Sequence, residues 1–349
     1  MFHPLRGIKV LDLSRILAGP YCGQQLADLG ADVLKIEAPW GDDTRKWGPP
    51  FTTGFDGSEV AAYFLSCNKG KEITTAHLTD DWKKIQQHIE ESDVILENFK
   101  PGTLEKHIGT WPKQAIVCRI TGYGQNGPRM HQPAYDLTMQ ARSGIMSMTG
   151  EQGRPPVKIG VAWIDVMTGM TATSAILAAL LERERSGKGS ILDISLWDVA
   201  LASMVNQAHN VFSGIEPIPM GSSHPNLVPY KVFEAKDGWF ALGIGSDEQW
   251  NTLCDRVEVS ANPTYATNKG RIFHRNDVEQ LVQDALAKYT RAELEHLLAG
   301  LPCAPVNTLK EALTDDHSTT RQVTETVQGV QTLSSVFRHC LVQNEKSDV

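Results

Sequence analysis

Tyr135 and Asp136 close a stretch punctuated by Gly122, Gly124, Gly127, Pro128 and Pro133, and they directly precede the apolar-periodic run from Leu137 to Met148. That spacing puts one carboxylate at a loop-to-helix junction. The partially positive N-terminus of the following helix would favour the ionised form, which can attack an acyl carbon. An aspartate in front of a helix is equally the ordinary N-cap, whose oxygen satisfies amides of the first turn. The remaining residues have to decide between cap and nucleophile.

Competing chemistries find little support. No G-x-S-x-G elbow is present, and Ser143-Gly144 falls inside the predicted helix, so a serine hydrolase lacks its nucleophile. A strand, turn, helix and second strand ending in Glu37 suggest a nicotinamide site, since an acid there can bind a ribose diol. Where G-x-G-x-x-G should open the helix, however, the chain reads Leu17-Ala-Gly19-Pro20-Tyr-Cys-Gly23, and Pro20 fits the first helical position. NAD is therefore not expected. The eleven histidines show no H-x-x-x-H spacing, and Cys22, Cys67, Cys118, Cys254, Cys303 and Cys340 form no C-x-x-C pair. Neither a metal nor a dithiol site is expected, and the thiols read as reduced and cytoplasmic.

The elements that must position Asp136 follow from periodicity. Ile8 to Leu13 and Val33 to Glu37 read as buried strands flanking a helix from Pro20 to Leu29 that Gly30 ends. Asp80 to Glu91 reads as helix, Asp93 to Glu97 and Ala115 to Ile120 as strands, so the pattern is that of a doubly wound parallel sheet. Ligands on such sheets sit beyond the strand C-termini. Those ends are Ser14-Arg15, Glu37-Ala38, Glu97-Asn98-Phe99 and Thr121 to Gly124, which predicts four loops around one crevice. Asp165 to Arg185 is a long helix with Thr168, Gly169, Ala172 and Ala175 available for close backbone approach, Ile191 to Leu196 a strand, and Trp197 to Val211 a helix. From Phe212 glycine and proline become frequent, and Lys236-Asp-Gly238 reads as a hairpin turn. Amphipathic helices follow at Asp277 to Lys288 and Arg291 to Leu298, the second with Thr290 and Glu293 spaced as a capping box. The polar tail, Asn344 to Val349, is expected to fray.

With 349 residues the chain can bury a large core and supports about two domains. Forty-one acidic against 33 basic residues give a net charge of −8, which argues against a nucleic-acid partner held by phosphate contacts. The apolar stretch Ala172 to Leu181 is short for a membrane span.

Several motifs together resemble the family III CoA-transferases, the group containing formyl-CoA and carnitine CoA-transferases. They are Leu11-Asp-Leu-Ser-Arg15-Ile-Leu-Ala18-Gly-Pro20, Leu26-Ala-Asp-Leu-Gly-Ala-Asp-Val-Leu-Lys-Ile-Glu37, Gly41-Asp-Asp-Thr-Arg45, Glu97-Asn-Phe99-Lys-Pro-Gly102 and Tyr135-Asp136. The resemblance runs from Leu5 to about Phe240 and continues through Leu301-Pro-Cys-Ala-Pro-Val306. The extension Gly48-Pro-Pro-Phe51 looks most like members that use dicarboxylic acids. It implies an α/β fold: a Rossmann-like large domain over residues 1–211, a smaller α+β domain over 212–310, a return to the large domain over 311–349, and an interlocked homodimer. It implies coenzyme A, carried as acyl-CoA, and a carboxylic acid as substrates, with no membrane partner.

The resemblance assigns Asp136 as nucleophile, forming a mixed anhydride with the donor acyl group and then an aspartyl-CoA thioester. It carries CoA contacts to Leu17, Ala18, Asn68, Lys69, Lys71, Asn98, Phe99, Lys100, Lys106, Thr121, Gly122, Tyr123 and Gly124. Arg15 and Arg45 are candidates for a substrate carboxylate, and Gly221, Ser222, Ser223 and His224 match a loop that closes over the site in relatives. Related acyl-CoA racemases pair a histidine before the matching aspartate with a second acid, and that acid matches Asp165. The histidine position is Tyr135, whose phenol is a poor base near neutral pH. A racemase and a non-catalytic CoA-binding protein remain alternatives.

Overall fold

Six short runs form one parallel sheet, whose central strands are rich in Val, Ile and Leu because both of their faces are covered. The six are β1 (Lys9–Asp12), β2 (Asp32–Glu37), β3 (Glu72–Thr75), β4 (Val94–Glu97), β5 (Ile116–Thr121) and β6 (Ser190–Ser195), in the order β3-β2-β1-β4-β5-β6. The computed structural model describes residues 3–260 and 262–339; Cys340 and the tail from Asn344 lie outside them. All five pairings are parallel, with Val10 opposite both Val33 and Val94. Every residue of β4 and β5 is buried. One face is packed by Leu11, Leu13, Ile36, Ile95 and Val117 against Ile85 and Ile89 of helix Trp82–Glu91, four residues apart and so on one side of it.

Chain order reverses between β1 and β4, the arrangement that leaves a crevice beyond the strand ends at that point. Helix α1 (Ala18–Asp28) leaves β1 and stops before Gly30, whose φ of 94° suits glycine. It begins two residues earlier than Pro20 suggested; Pro20 lies within the first turn, where no helical acceptor awaits an N–H. Helix α2 (Asp136–Ser143) is shorter than its apolar period implied, because Gly144 adopts a φ of 96° and a separate turn, Ile145–Met148, follows. Helix α3 (Trp163–Ser186) is 24 residues long and ends at Gly187 with a φ of 70°.

By length and composition α3 could cross a membrane, contrary to the shorter stretch read from the sequence, although half of its most apolar window is buried in the protein. Its small residues receive α1: a Cβ on Gly169 would lie 2.7 Å from the Ala18 carbonyl oxygen. The helix expected over Trp197 to Val211 is two, Leu196–Ala202 and Val205–Phe212. Strand β3 and the hairpins Phe51–Thr53 with Glu59–Ala61 and Thr324–Val327 with Val330–Leu333 were not anticipated.

The chain divides into two compact units: Met1–Ile145, Lys158–Ile215 and Asp316–Val349 form one, and Met146–Val157 with Glu216–Asp315 the other. Residues 146–157, read as part of the large domain from sequence, belong to the second unit. In that unit β7 (Tyr230–Ala235), β8 (Gly238–Gly243) and β9 (Cys303–Pro305) form an antiparallel sheet in the order β9-β8-β7. Phe233 and Phe240 pack on Trp250, Val278, Val282 and Leu294 from its helices. The Thr290–Glu293 capping box is formed.

Candidate active site

Asp136 is the first residue of α2, and Tyr135 is its N-cap. Its carboxylate faces another helix. Oδ1 accepts the Ile164 amide at 2.8 Å and the Asp165 amide at 3.4 Å, both in the first turn of α3, and Oδ2 accepts Gln140 Nε2 at 2.6 Å. The field acting on Asp136 is thus that of α3, not of the helix it starts. Gln140 lies one turn along α2, on the same face, and its Oε1 takes the Ile159 amide at 2.9 Å. With both oxygens engaged, Asp136 serves as a cap for the first turn of α3.

Asp165 is the other member of the pair. It is 8 % exposed, against 7 % for Asp136, yet its carboxyl has no hydrogen-bond donor among the described residues. Burial, reinforced by the negative charge of Asp136, pushes its pKa up to about 7. A buried carboxyl with no donor, beside a capped one, is the arrangement that keeps one oxygen available for a new bond. Sequence reasoning placed Asp165 only as a racemase acid; the usable signal was an acid in the first turn of a long helix.

Aromatic rings line the same corner. Tyr63 lies 5.3 Å from Trp47, ring centre to ring centre, and Trp47 lies 6.5 Å from Tyr135. Burial, with the carboxylates of Asp165 and Asp136 adding to it, pushes the Tyr63 phenol up to about 12, so it stays a proton donor at neutral pH. Tyr135 itself is 59 % exposed.

Of the residues assigned to CoA, Phe99 lies at the chain reversal, beside strand-end residues that the sequence placed around a crevice. Ser14, Arg15, Glu37, Ala38 and Phe99 line a crevice of about 350 Å³ at the chain reversal, with Trp40 and His77. Three of the four predicted loops therefore meet. The fourth does not: Gly122 packs on Ala134, its carbonyl accepts the Trp197 amide, and Thr121 Oγ1 accepts the Gly124 amide. Tyr123 instead lines a separate open cleft with Gln132, Pro133 and Arg142. Lys100 and Lys106 are exposed, whereas Leu17 and Ala18 are buried where α1 begins.

Lys69 and Lys71 are corrected by their partners. Lys69 Nζ sits 3.2 Å from Asp28 and 2.8 Å from Glu325, and Lys71 Nζ is buried 2.8 Å from Asp12 while donating to the Pro20 carbonyl and Asn68 Oδ1. Two buried ammoniums already neutralised by carboxylates are not free to meet phosphates. Asn68 donates through Nδ2 to the Phe64 carbonyl and to Cys67 Sγ, and is buried as well. Asn98 is engaged by the backbone of Arg15, accepting its N–H at 3.0 Å and donating to its carbonyl at 2.7 Å.

Of the two arginines, Arg45 grips Glu37 through Nε at 2.7 Å and Nη2 at 3.1 Å and lies 3.9 Å over the Phe64 ring, so its fork is occupied. Arg15 has a side chain 61 % exposed and only a 3.4 Å contact to Asp43. The Gly221 to His224 loop lies in the second unit. There Gly221 donates to the Gly150 carbonyl, Ser222 Oγ accepts the Val232 amide, Ser223 donates to Met220, and Arg275 donates to the His224 carbonyl. No group of three or more metal-ligating side chains occurs among the described residues.

Comparison with known proteins gives the family of the chain. The family model described as CoA-transferase family III matches residues 5–346, and the chain belongs to that family. It is 40 % identical over 328 residues to a succinate--glutarate CoA-transferase of Agrobacterium fabrum, covering 89 % of this chain and 82 % of that one. It is 36 % identical to the succinyl-CoA:glutarate CoA-transferase of Mus musculus, covering 89 % of this chain and 74 % of that one. Among solved structures, a CAIB/BAIF family protein from Brucella suis superposes with a TM-score of 0.87 at 39 % identity, over 97 % of this chain and 93 % of that one.

Proposed function

We propose that this enzyme moves CoA from an acyl-CoA donor to a dicarboxylic acid, with Asp165 as the covalent nucleophile and Asp136 as the residue that positions it. The observation carrying the assignment is that Asp136 holds the Asp165 amide through one oxygen while the Asp165 carboxyl has no donor of its own. Relatives named for succinate, glutarate and mesaconate support the acid class.

The reaction balances as four acyl exchanges. The Asp165 carboxylate attacks the thioester carbon, and the C–S bond breaks to give a mixed anhydride and CoA thiolate. The thiolate attacks the aspartyl carbonyl of that anhydride, releasing the donor acid and leaving an Asp165–CoA thioester. The acceptor carboxylate then attacks this thioester, releasing thiolate, which finally takes the acceptor acyl group and frees Asp165. Each bond made resembles the one broken, so no nucleotide is needed.

The pair Asp136–Asp165 favours the first step. Two buried carboxylates repel one another, and acylation removes one charge, so the repulsion present in the resting site is absent from the intermediate. The helix N-terminus that holds Asp136 leaves the neighbouring carbonyl in a positive field as its oxygen gains charge. The Tyr63 phenol is a further donor at that corner. Arg15, loosely paired and in the loop after β1, is a cation available to meet a substrate carboxylate.

The reading extends to the family's assembly: a Rossmann-like sheet carrying CoA at the chain reversal and two interlocked copies acting in the cytoplasm. Its test is intact-mass analysis after incubation with a panel of acyl-CoAs, followed by hydroxylamine release and peptide mapping. Label on the peptide containing Asp165, absent in Asp165→Asn, is the expected result. Label on Asp136, or none with any dicarboxylic acyl-CoA, would reject the assignment.

A further inference from the structure

The bend between β1 and α1 contains the least comfortable backbone near the site. Ile16 has a φ of 73°, a left-handed conformation that β-branched residues avoid. Such a conformation persists only where its surroundings over-determine it. Two side chains from opposite sides of the crevice do so here. Asn98, after β4, closes a pair of hydrogen bonds on Arg15, one to its N–H and one to its carbonyl. Asp42, after β2, accepts the Ile16 N–H at 3.2 and 3.4 Å, and is itself fixed by Thr44 and by Lys35 at 3.2 Å. Cys67 Sγ lies 3.6 Å from the Ile16 carbonyl.

This bend decides where α1 starts. The peptide N–H groups of Leu17, Ala18 and Gly19 have no acceptor among the described residues, and no side chain caps the helix. The first turn of α1 rests on α3 at Gly169, one helical turn beyond Asp165. A shift of the bend therefore moves buried donors and the packing of the helix that carries Asp165.

We infer that Asn98 and Asp42 are positioning residues for the proposed transfer: together they clamp Arg15–Ile16 in a strained bend and so hold the first turn of α1 against the helix of Asp165. The inference rests on the transfer reading, and it gives Asn98 a role other than contact with CoA. Acting through the backbone, the clamp controls turnover more than binding.

The test is rescue by glycine. Asn98→Ala should lower kcat by about 10- to 100-fold, the scale of a misplacement near 1 Å, while KM for acyl-CoA stays within about threefold. Asn98→Asp, which keeps the acceptor for Arg15 N–H but loses the donor to its carbonyl, should fall between. Ile16→Gly alone should remain within about threefold of wild type, because glycine adopts the bend without steric cost. Added to Asn98→Ala, it should recover most of the lost kcat. A loss confined to KM, or a loss that Ile16→Gly leaves untouched, would make Asn98 a carrier contact and overturn the clamp. The stability arm separates this failure from failure of the transfer reading. Even if wild type transfers nothing, Asn98→Ala should lower Tm by about 2–5 °C and Ile16→Gly should restore at least half of that; unchanged Tm values would overturn the clamp directly.

Discussion

At the scale of residues, the proposed site turns on two aspartates, and the proposal gives Asp165 the covalent role that the sequence reading gave Asp136. Asp136 accepts from two amides and a glutamine, and Asp165 accepts from nothing among the described residues. The raised Asp165 pKa, about 7 and caused by burial first and Asp136 second, gives transfer an acid limb. Only the ionised form attacks, so kcat should rise through about pH 7 and level above it. Removing the Asp136 charge lowers the Asp165 pKa, so Asp136→Asn should move that limb to lower pH while reducing kcat; a pH–rate profile of both proteins reads the shift. The same ionisation costs stability. The folded state holds a proton that the unfolded chain releases near 3.8, so this contribution to stability declines from about pH 4 to about pH 7 and stays low above it. Asp165→Asn should therefore abolish transfer yet stabilise the protein at pH 8 by on the order of 2–4 kcal/mol, with little gain at pH 4, as measured by denaturant melts.

At the scale of elements, two helix starts meet the sheet for different reasons. The first turn of α3 is completed by a side chain from α2, while the first turn of α1 has no cap and is held by the clamped bend before it. Contact between α1 and α3 depends on Gly169, where a Cβ would come within 2.7 Å of the Ala18 oxygen and 3.1 Å of the Tyr21 ring. Neither neighbour is a flexible chain end. Gly169→Val should destabilise the protein by about 1–3 kcal/mol through overpacking and should reduce kcat as α1 is displaced. Equilibrium unfolding and steady-state kinetics on the same sample report both.

At the scale of the whole molecule, the chain's distant parts are tied by buried charge. Lys69 bridges Asp28 of α1 and Glu325 of the late hairpin, which Arg338 also binds at 2.8 Å. Asp28 is pushed up by burial in spite of Lys69, a sign of how far its carboxylate is removed from water. Truncating the lysine leaves the Asp28 carboxylate without its cation, while Glu325 keeps Arg338. Lys69→Ala should cost about 3–5 kcal/mol, and because no phosphate contact is lost it should leave the affinity for CoA nearly unchanged, as titration calorimetry on the folded fraction would show. A large loss of affinity would restore Lys69 to the carrier.

Much of this was legible in the order of residues. The strands β1, β2, β4, β5 and β6, the helices between them and the Thr290–Glu293 cap follow from local periodicity and capping chemistry, which neighbouring residues specify. The motifs identified the family because they are contiguous words in the chain. Contacts between distant segments were not legible. Tyr135-Asp136 has the local signature of a helix start, and nothing nearby in sequence says that its carboxylate caps a helix 28 residues later, that Lys69 meets Glu325, or that Asn98 holds Arg15. Which of two carboxylates is left free is a statement about hydrogen-bond donors brought together by packing, and folding alone assembles them.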